Sequence, residues 1–167
     1  MNEHSTGSDV VYGEPTVDDV DAIAELFVED MTDLGMDTSM DAMRGLVESI
    51  VEDLQSSDPQ CVCWVARPGE SQPPCGVVLA NFNWSLKFGG RALWIEEMYV
   101  TPAHRRRGIG RALVDRVLDY AEAHGFHGID LEAYQGNTSA SVLYRTMGFH
   151  RLGRERFYFH LGDQQYL

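Results

Sequence analysis

Residues 94–111 read WIEEMYVTPAHRRRGIGR, and they carry the strongest indication of the fold class. The apolar and aromatic run over 93–100 predicts a strand. Gly108 and Gly110 then open directly into a segment with helical apolar spacing, which predicts a helix over 109–124. A strand that passes through a glycine-rich turn into a helix is typical of a mixed α/β fold.

The glycine-rich turn predicts an anion-binding site at the start of this helix. A helix N-terminus presents N–H groups and a partial positive charge, and glycine lets a phosphate approach the backbone closely. The arginines around the turn are Arg105, Arg106, Arg107 and Arg111. The expected ligand is therefore a polyanion such as a pyrophosphate, although neither the P-loop pattern nor the dinucleotide-binding pattern is present.

The same signals predict the other elements. Thr16 and Ser39 are expected to cap helices over 17–31 and 40–55. The remaining predicted elements are strands at 10–12, 61–66, 76–84 and 129–133, a helix over 137–147, and a final hairpin over 149–161. The order β-α-α-β-β-β-α-β-α-β-β predicts an α/β fold with flanking helices and a mixed, mostly antiparallel sheet of about seven strands.

Composition limits the domain organisation and the partners. The 167 residues predict one domain, over 10–162, with short tails at 1–9 and 163–167. A net charge of −13 argues against a nucleic-acid binder, and no apolar run approaches the roughly 20 residues that span a membrane. The N-terminus lacks a signal-peptide pattern, and the cysteines are sparse and lack metal-ligand spacing. We therefore expect a reduced, cytoplasmic protein without a metal site, a membrane partner or a nucleic-acid partner.

The charge is divided unevenly along the chain. Residues 1–60 carry 16 acidic residues and one base, Arg44, whereas residues 61–167 carry 10 acidic residues and 12 bases. One interpretation is a solvated acidic face, or adaptation to a salty cytoplasm. The other is that the acidic half attracts a cationic substrate.

The pattern Arg105-x-x-Gly108-x-Gly110 resembles the acyl-CoA-binding signature of the GNAT superfamily of N-acyltransferases. The resemblance covers residues 10–162 and implies a GNAT-like sheet whose parallel central strands splay apart. It implies acetyl-CoA as the co-substrate, with its pyrophosphate on the amides of 106–111 and its pantetheine arm along the end of the preceding strand. The residues implied in acetyl-CoA binding are Met98, Tyr99, Val100, Arg105, Arg106, Arg107, Gly108, Ile109, Gly110, Arg111 and Asn137.

A second pattern resembles the same family, because the helix that Asn137 is expected to cap carries Tyr144 and ends in Gly148-Phe149. In that family the tyrosine at this position is the usual general acid, which protonates the departing CoA thiolate. The resemblance also implies that the amide of Val100 polarises the thioester carbonyl. An acceptor amine has a pKa of about 10 in water, so a base must remove its proton before it attacks.

Glu96 and Glu97 are the candidate bases. Strand alternation would send these neighbours to opposite faces, so that at most one would point into the site. Glu96 shares the parity of Met98 and Val100, and it resembles the acid of polyamine-type acetyltransferases. We therefore place Glu96 ahead of Glu97, and the interpretation that both are structural stays open.

The resemblance implies an N-acetyltransferase that moves the acetyl group to a primary amine, by direct attack in a ternary complex. The acidic N-terminal half suggests a small, cationic acceptor. Two other hypotheses stay open: acetylation of a protein N-terminus or lysine, and a non-catalytic acyl-CoA-binding sensor. Homodimers are common in the family, but the sequence specifies no interface.

Overall fold

The computed structural model describes residues 10–157, 159 and 161, and the first nine predicted helices and strands are present there in the predicted order. The elements are β1 (Val11–Gly13), a 3₁₀ turn (Val17–Asp19), α1 (Val20–Asp33), α2 (Met40–Leu54), β2 (Cys61–Arg67), β3 (Gly76–Ser85), β4 (Gly90–Val100), a second 3₁₀ turn (Pro102–His104), α3 (Ile109–Ala123), β5 (Ile129–Leu131) and α4 (Thr138–Thr146).

The five strands form one sheet in the order β1-β2-β3-β4-β5. The pairs from β1 to β4 are antiparallel, and β4 and β5 run parallel, which confirms a mixed, mostly antiparallel sheet.

The prediction of about seven strands is wrong, because the described part of 149–161 contains no strand. The alternation of Phe157 and Phe159 suggested a hairpin, but these side chains are 85% and 88% exposed. Alternation of apolar and polar residues specifies a strand only where one face of that strand is buried. Here neither phenylalanine side chain packs into a core.

The described residues divide into two compact units, one that ends at Leu131 and one that begins at Glu132. The first contains the whole sheet and α1 to α3, and the second contains α4. The assignment of one domain over 10–162 stays a prediction, and the predicted tails at 1–9 and 163–167 lie outside the described residues.

The first unit has a helical layer on each face of its sheet. α1 and α2 share one core with side chains of β2, β3 and β4, among them Val65, Val77 and Leu79. α3 packs on the other face, where Ile109 lies against Gly76 so closely that a Cβ there would be 3.3 Å from it. The sheet therefore places the end of β4 between α1 on one face and the start of α3 on the other.

Side-chain hydrogen bonds lie at the start of the first two helices, but only Ser39 caps its helix through its side chain, and the predicted side-chain cap by Thr16 is not formed. Ser39 Oγ accepts a hydrogen bond from the Ala42 amide at 3.4 Å, which confirms the predicted cap of α2. Thr16 precedes the 3₁₀ turn that leads into α1, and both its amide and its hydroxyl donate to the carboxylate of Asp19. Arg67 on β2 pairs with the same carboxylate at 2.6 Å, which ties the start of α1 to the sheet.

Candidate active site

A β-bulge interrupts β4 in the middle of the predicted site. Leu79 pairs with Glu97, but the next residue of β3, Ala80, pairs with Ile95. Glu96 is therefore an extra residue without a register partner on β3. The bulge shifts the alternation of β4 by one residue for the remainder of the strand.

This shift decides which amides face the open edge of β4. The Thr101 amide donates to the Cys75 carbonyl at 2.9 Å and so points toward β3. Because successive residues of an antiparallel strand alternate in direction, the backbone groups of Val100 and Met98 point to the opposite edge. At that edge, Arg105 Nε donates a hydrogen bond to the Val100 carbonyl at 2.8 Å.

The same edge is where the sheet opens. The parallel register of β4 and β5 covers three residue pairs and stops at Ile95 and Leu131. In the described part of the chain, no strand pairs with β4 from Glu96 to Val100 on this side. The strand end therefore offers backbone donors and acceptors to an extended ligand.

The bulge also brings both glutamates to one face, which corrects the expectation that they lie on opposite faces. Glu97 pairs with Leu79, and Glu96 Oε2 accepts a hydrogen bond from Asn81 Nδ2 at 3.5 Å. Leu79 and Asn81 are two residues apart on β3 and so share a face. That face is the one covered by α1 and α2, where Leu79 belongs to the core.

The two glutamates differ in environment. Glu96 is exposed, whereas Glu97 is half-buried and its Oε1 accepts a hydrogen bond from the Met98 amide at 2.9 Å. Burial raises the pKa of Glu97 to about 8. The charge of Asp30 on α1 and a hydrogen bond with the Asp30 carboxyl group also raise this pKa. Burial likewise raises the pKa of Asp30. Glu97 is therefore the glutamate with the properties of a base that works near neutral pH.

Further charged groups gather at the end of α1. The last turn of this helix carries Glu29 and Asp33 in addition to Asp30. Arg105 Nη2 lies 3.6 Å from Asp33 Oδ2, and its guanidinium carbon lies 5.4 Å from the centre of the Tyr99 ring.

Tyr99 itself is only 4% exposed, and its hydroxyl lies beside the carboxylate of Glu29. Burial, with the carboxylates of Glu29 and Asp33, raises the pKa of this hydroxyl.

The turn before α3 has the backbone of an anion site. Arg106 and Gly108 both adopt left-handed conformations, with φ of 64° and 79°. Residues in this conformation point successive backbone N–H groups toward one concave surface at the start of a helix. A Cβ on Gly108 would meet no atom within 4 Å, so the space in front of the turn is open. The described geometry therefore suits a pyrophosphate.

The arginines of this turn have two different environments. Arg106, Arg107 and Arg111 are exposed around the turn. Arg105 is exposed as well, but its guanidinium binds the end of β4 and Asp33. The structure thus assigns to Arg105 a contact between β4 and α1, which the sequence did not predict.

The second unit holds the other predicted site residues. Asn137 Oδ1 accepts a hydrogen bond from the Ala140 amide at 3.1 Å, which confirms it as the cap of α4. Tyr144 is buried and packs edge-on against Phe149, with ring centres 5.7 Å apart. The roles of Asn137 in acetyl-CoA binding and of Tyr144 as an acid stay predictions.

Sequence reasoning missed Asp30. The sequence contains a pattern that could have indicated this residue: three acidic residues fall in the last turn of α1, at the negative end of the helix dipole, where carboxylates are disfavoured.

Among the described residues, no group of three or more histidine, cysteine or acidic side chains is arranged to hold a metal. No helix in that part of the chain is long and apolar enough to cross a membrane.

A family model described as the acetyltransferase (GNAT) family matches residues 20–149. The chain belongs to this family. Curated relatives agree: N-acetyltransferase family 8 member 3 of Mus musculus is 37% identical over 123 residues, 73% of this chain and 52% of the relative. Thialysine N-epsilon-acetyltransferase of Sus scrofa is 33% identical over 107 residues, which are 60% of this chain and 62% of the relative. This GNAT chain thus spans well under the full length of these relatives.

Solved structures show the same fold. The aminoglycoside N-acetyltransferase AAC(6')-Iy, in complex with a CoA bisubstrate analogue, aligns with a TM-score of 0.73 at 18% identity, over 92% of this chain and 99% of that one. A ribosomal-protein-alanine N-acetyltransferase from Brucella melitensis aligns with a TM-score of 0.69 at 20% identity, over 92% and 100%. Since these two proteins are named for different acceptors, the GNAT fold alone leaves the acceptor open.

We predict that Glu97→Gln stabilises the protein at pH 9 but not at pH 5. The pKa of Glu97 rises from 4.5 to about 8 on folding. The folded chain therefore retains a proton that the unfolded chain releases, and stability falls as pH rises between these values. Glutamine has no such cost, so we expect a gain of about 1–3 kcal/mol in the free energy of unfolding at pH 9.

Urea unfolding at both pH values measures this difference. Glu96→Gln is the matched control, because Glu96 is exposed. A gain for Glu97→Gln of equal size at pH 5 and pH 9 would contradict the prediction.

Proposed function

We propose that this chain is an N-acetyltransferase that moves the acetyl group of acetyl-CoA to a primary amine of a small, cationic acceptor, by direct attack in a ternary complex. The open edge of β4 carries this proposal. It ends at Val100, directly before the turn whose backbone suits a pyrophosphate. A cytoplasmic location and a homodimer stay predictions from the sequence.

The residues around the turn and the strand end would hold acetyl-CoA. The amides at the start of α3 and the exposed Arg106, Arg107 and Arg111 would receive the pyrophosphate. The outward carbonyl of Met98 and the outward amide of Val100 would pair with the amides of the pantetheine arm, as an added strand does. The Val100 amide would then stabilise negative charge on the thioester oxygen during attack.

The acceptor would bind on the face that carries the acidic end of α1. A cation is attracted there by Glu29, Asp30 and Asp33, and an ammonium group can donate up to three hydrogen bonds to such carboxylates. Glu97 would take the proton that the ammonium must lose, because it is the half-buried glutamate with the raised pKa. Glu96 is the second candidate, as an exposed group on the same face.

Tyr144 would complete the reaction as the general acid, as the family resemblance implies. Retention of Tyr144 and of a glutamate in β4 favours an enzyme over a non-catalytic acyl-CoA sensor, because a binding module needs neither group. Acetylation of protein N-termini or lysines is the remaining alternative.

A thiol-release assay with acetyl-CoA tests the proposal. The acceptor panel contains polyamines, aminoglycosides, neutral amino acids, an N-terminal peptide and a lysine peptide. We expect CoA release with a small polycationic amine and much less with a neutral amino acid. Release only with the peptides would identify a protein acetyltransferase, and silence together with measured acetyl-CoA binding would support the sensor.

We predict that Gly108→Val weakens acetyl-CoA binding about tenfold or more. Valine is strained at a φ of 79°, and the backbone would lose one or more charge-assisted hydrogen bonds to phosphate, each worth about 1.5–3 kcal/mol. Calorimetric titration measures the dissociation constant.

Gly125→Val is the matched control for Gly108→Val. Gly125 also has a positive φ of 69° and open space around it, but it lies after the far end of α3. Equal affinities for the two variants would contradict the assignment of the turn to the pyrophosphate.

We predict that Tyr144→Phe lowers kcat by about 10²–10³-fold and leaves the dissociation constant of acetyl-CoA nearly unchanged. A phenylalanine keeps the packing on Phe149 but cannot protonate the thiolate. Steady-state kinetics and calorimetry measure the two quantities. Tyr134→Phe, at a 59% exposed position of the same unit, is the control, and full activity of Tyr144→Phe would remove Tyr144 from the mechanism.

A further inference from the structure

We propose that Arg105 sets the register in which the pantetheine arm of acetyl-CoA pairs with the open edge of β4. The inference rests on the proposed function and deepens it, because it concerns how the co-substrate is aligned. Arg105 is a positioning residue, which acts through the backbone of Val100 and not on the reacting atoms. Its described contacts are with that strand, with Asp33 and with the Tyr99 ring.

The peptide unit between Val100 and Thr101 is held from both sides. Its N–H group, which belongs to Thr101, donates to the Cys75 carbonyl on the β3 side at 2.9 Å. Its carbonyl group, which belongs to Val100, accepts from Arg105 Nε on the open side at 2.8 Å. Because a peptide unit is planar, these two bonds hold the strand end in the direction that aims the Val100 amide at the open edge.

The Arg105 guanidinium is held against the strand by two contacts besides the bond to Val100. Its Nη2 lies 3.6 Å from Asp33 Oδ2, and its central carbon lies 5.4 Å from the centre of the Tyr99 ring. Both partners of the ion pair are about half-exposed, so this pair adds little to stability. The short turn Pro102–His104 brings Arg105 back beside the strand. These contacts therefore orient the Nε donor toward the strand end.

The bond from Arg105 limits what the open edge can offer to a ligand. Met98 and Val100 each direct one amide and one carbonyl to this edge. The Met98 amide donates to Glu97 Oε1 at 2.9 Å, and the Val100 carbonyl accepts from Arg105. In the described part of the chain, no strand pairs with the Met98 carbonyl and the Val100 amide that remain. The edge therefore offers one acceptor followed by one donor.

This pair of backbone groups admits an extended ligand in a single register. A ligand N–H would pair with the Met98 carbonyl, and a ligand carbonyl would pair with the Val100 amide. If the Val100 carbonyl were free, the same ligand N–H could pair with it instead, and the arm could slip by two residues, about 7 Å, along the strand. Such a slip would move the thioester out of its productive position. Arg105 prevents it by occupying the Val100 carbonyl.

Two variants of similar length isolate this hydrogen bond. Glutamine places its amide nitrogen as many bonds from the backbone as arginine places Nε, so Arg105→Gln can still donate to the Val100 carbonyl. Methionine has a similar length but no N–H donor, so Arg105→Met frees that carbonyl. Both variants lose the positive charge, so a difference between them reports the hydrogen bond and not the ion pair with Asp33.

Infrared difference spectroscopy of acetyl-CoA, labelled with carbon-13 at the thioester carbonyl, measures the register without turnover. A hydrogen bond from the protein polarises this carbonyl and lowers its stretching frequency. With no acceptor present, we expect one band at lowered frequency in the wild type and in Arg105→Gln. In Arg105→Met we expect most of the bound ligand to lose this shift.

Steady-state kinetics with the best acceptor of the thiol-release panel measure the consequence for catalysis. A misplacement of only about 1 Å can cost 10²-fold in rate, so we expect kcat of Arg105→Met to fall about 10–100-fold. The kcat of Arg105→Gln should stay within about threefold of the wild-type value. The calorimetric dissociation constant of acetyl-CoA should also stay within about threefold in both variants, because the phosphates keep their site.

Arg107→Met is the contrasting control. Arg107 is exposed beside the turn, where the proposed function assigns it to the pyrophosphate. Its substitution should weaken acetyl-CoA binding but leave the carbonyl band of the bound ligand at the wild-type frequency. Urea unfolding reports that each variant is folded, and we expect midpoints close to the wild-type value because these arginines are exposed.

The outcomes separate this inference from the proposed function. Equal carbonyl bands in Arg105→Gln and Arg105→Met overturn the register role, while CoA release by the same proteins leaves the acetyltransferase assignment in place. A wild type that binds acetyl-CoA but releases no CoA contradicts the proposed catalysis, and the bands still decide the register. A wild type that does not bind acetyl-CoA overturns both.

Discussion

The β-bulge at Glu96 is the constraint on which the rest of the site depends. One extra residue in β4 changes the direction of every backbone group that follows it, up to Val100. Without the bulge, strict alternation would point the amides of Glu97 and Tyr99, instead of those of Met98 and Val100, to the edge away from β3. The bulge thus aims the strand end at the opening of the sheet, where the pairing with β5 has already stopped.

The carboxylates of the acidic N-terminal half have different roles because their partners differ. Asp19 is buried, yet hydrogen bonds from Thr16 and the ion pair with Arg67 hold its pKa below the usual range, so it acts as a fixed anion between α1 and the sheet. Asp21 pairs with Arg44 on the surface. Burial raises the pKa of Asp30, and the charges of Asp33 and Glu29 add to the rise, although the charge of Arg105 opposes it.

These differences bear on the two interpretations of the acidic half. The exposed acidic residues of α2, such as Glu48, fit a solvated face. The last turn of α1 fits a solvated face less well, because its carboxylates lie close to the buried hydroxyl of Tyr99 and to the half-buried Glu97. Proteins with this fold are named for acceptors as different as an aminoglycoside and a ribosomal protein. In this chain we therefore look for acceptor selection in the side chains of α1 and β4 and not in the fold.

The order of nine elements, the turn before α3 and the caps at Ser39 and Asn137 could be predicted from the sequence, because periodicity, glycines and capping side chains act over a few neighbouring residues. The sequence did not determine the end of the chain, where Phe157 and Phe159 alternate without a face to bury. Nor could it show the bulge, since an extra residue in β4 exists only relative to its register with β3. The approach of Asp30 to Glu97, 67 residues apart in the sequence, was decided by the packing of α1 on the sheet. Tertiary structure alone fixes which carboxylates are paired with cations and which with one another, because that depends on distance in space.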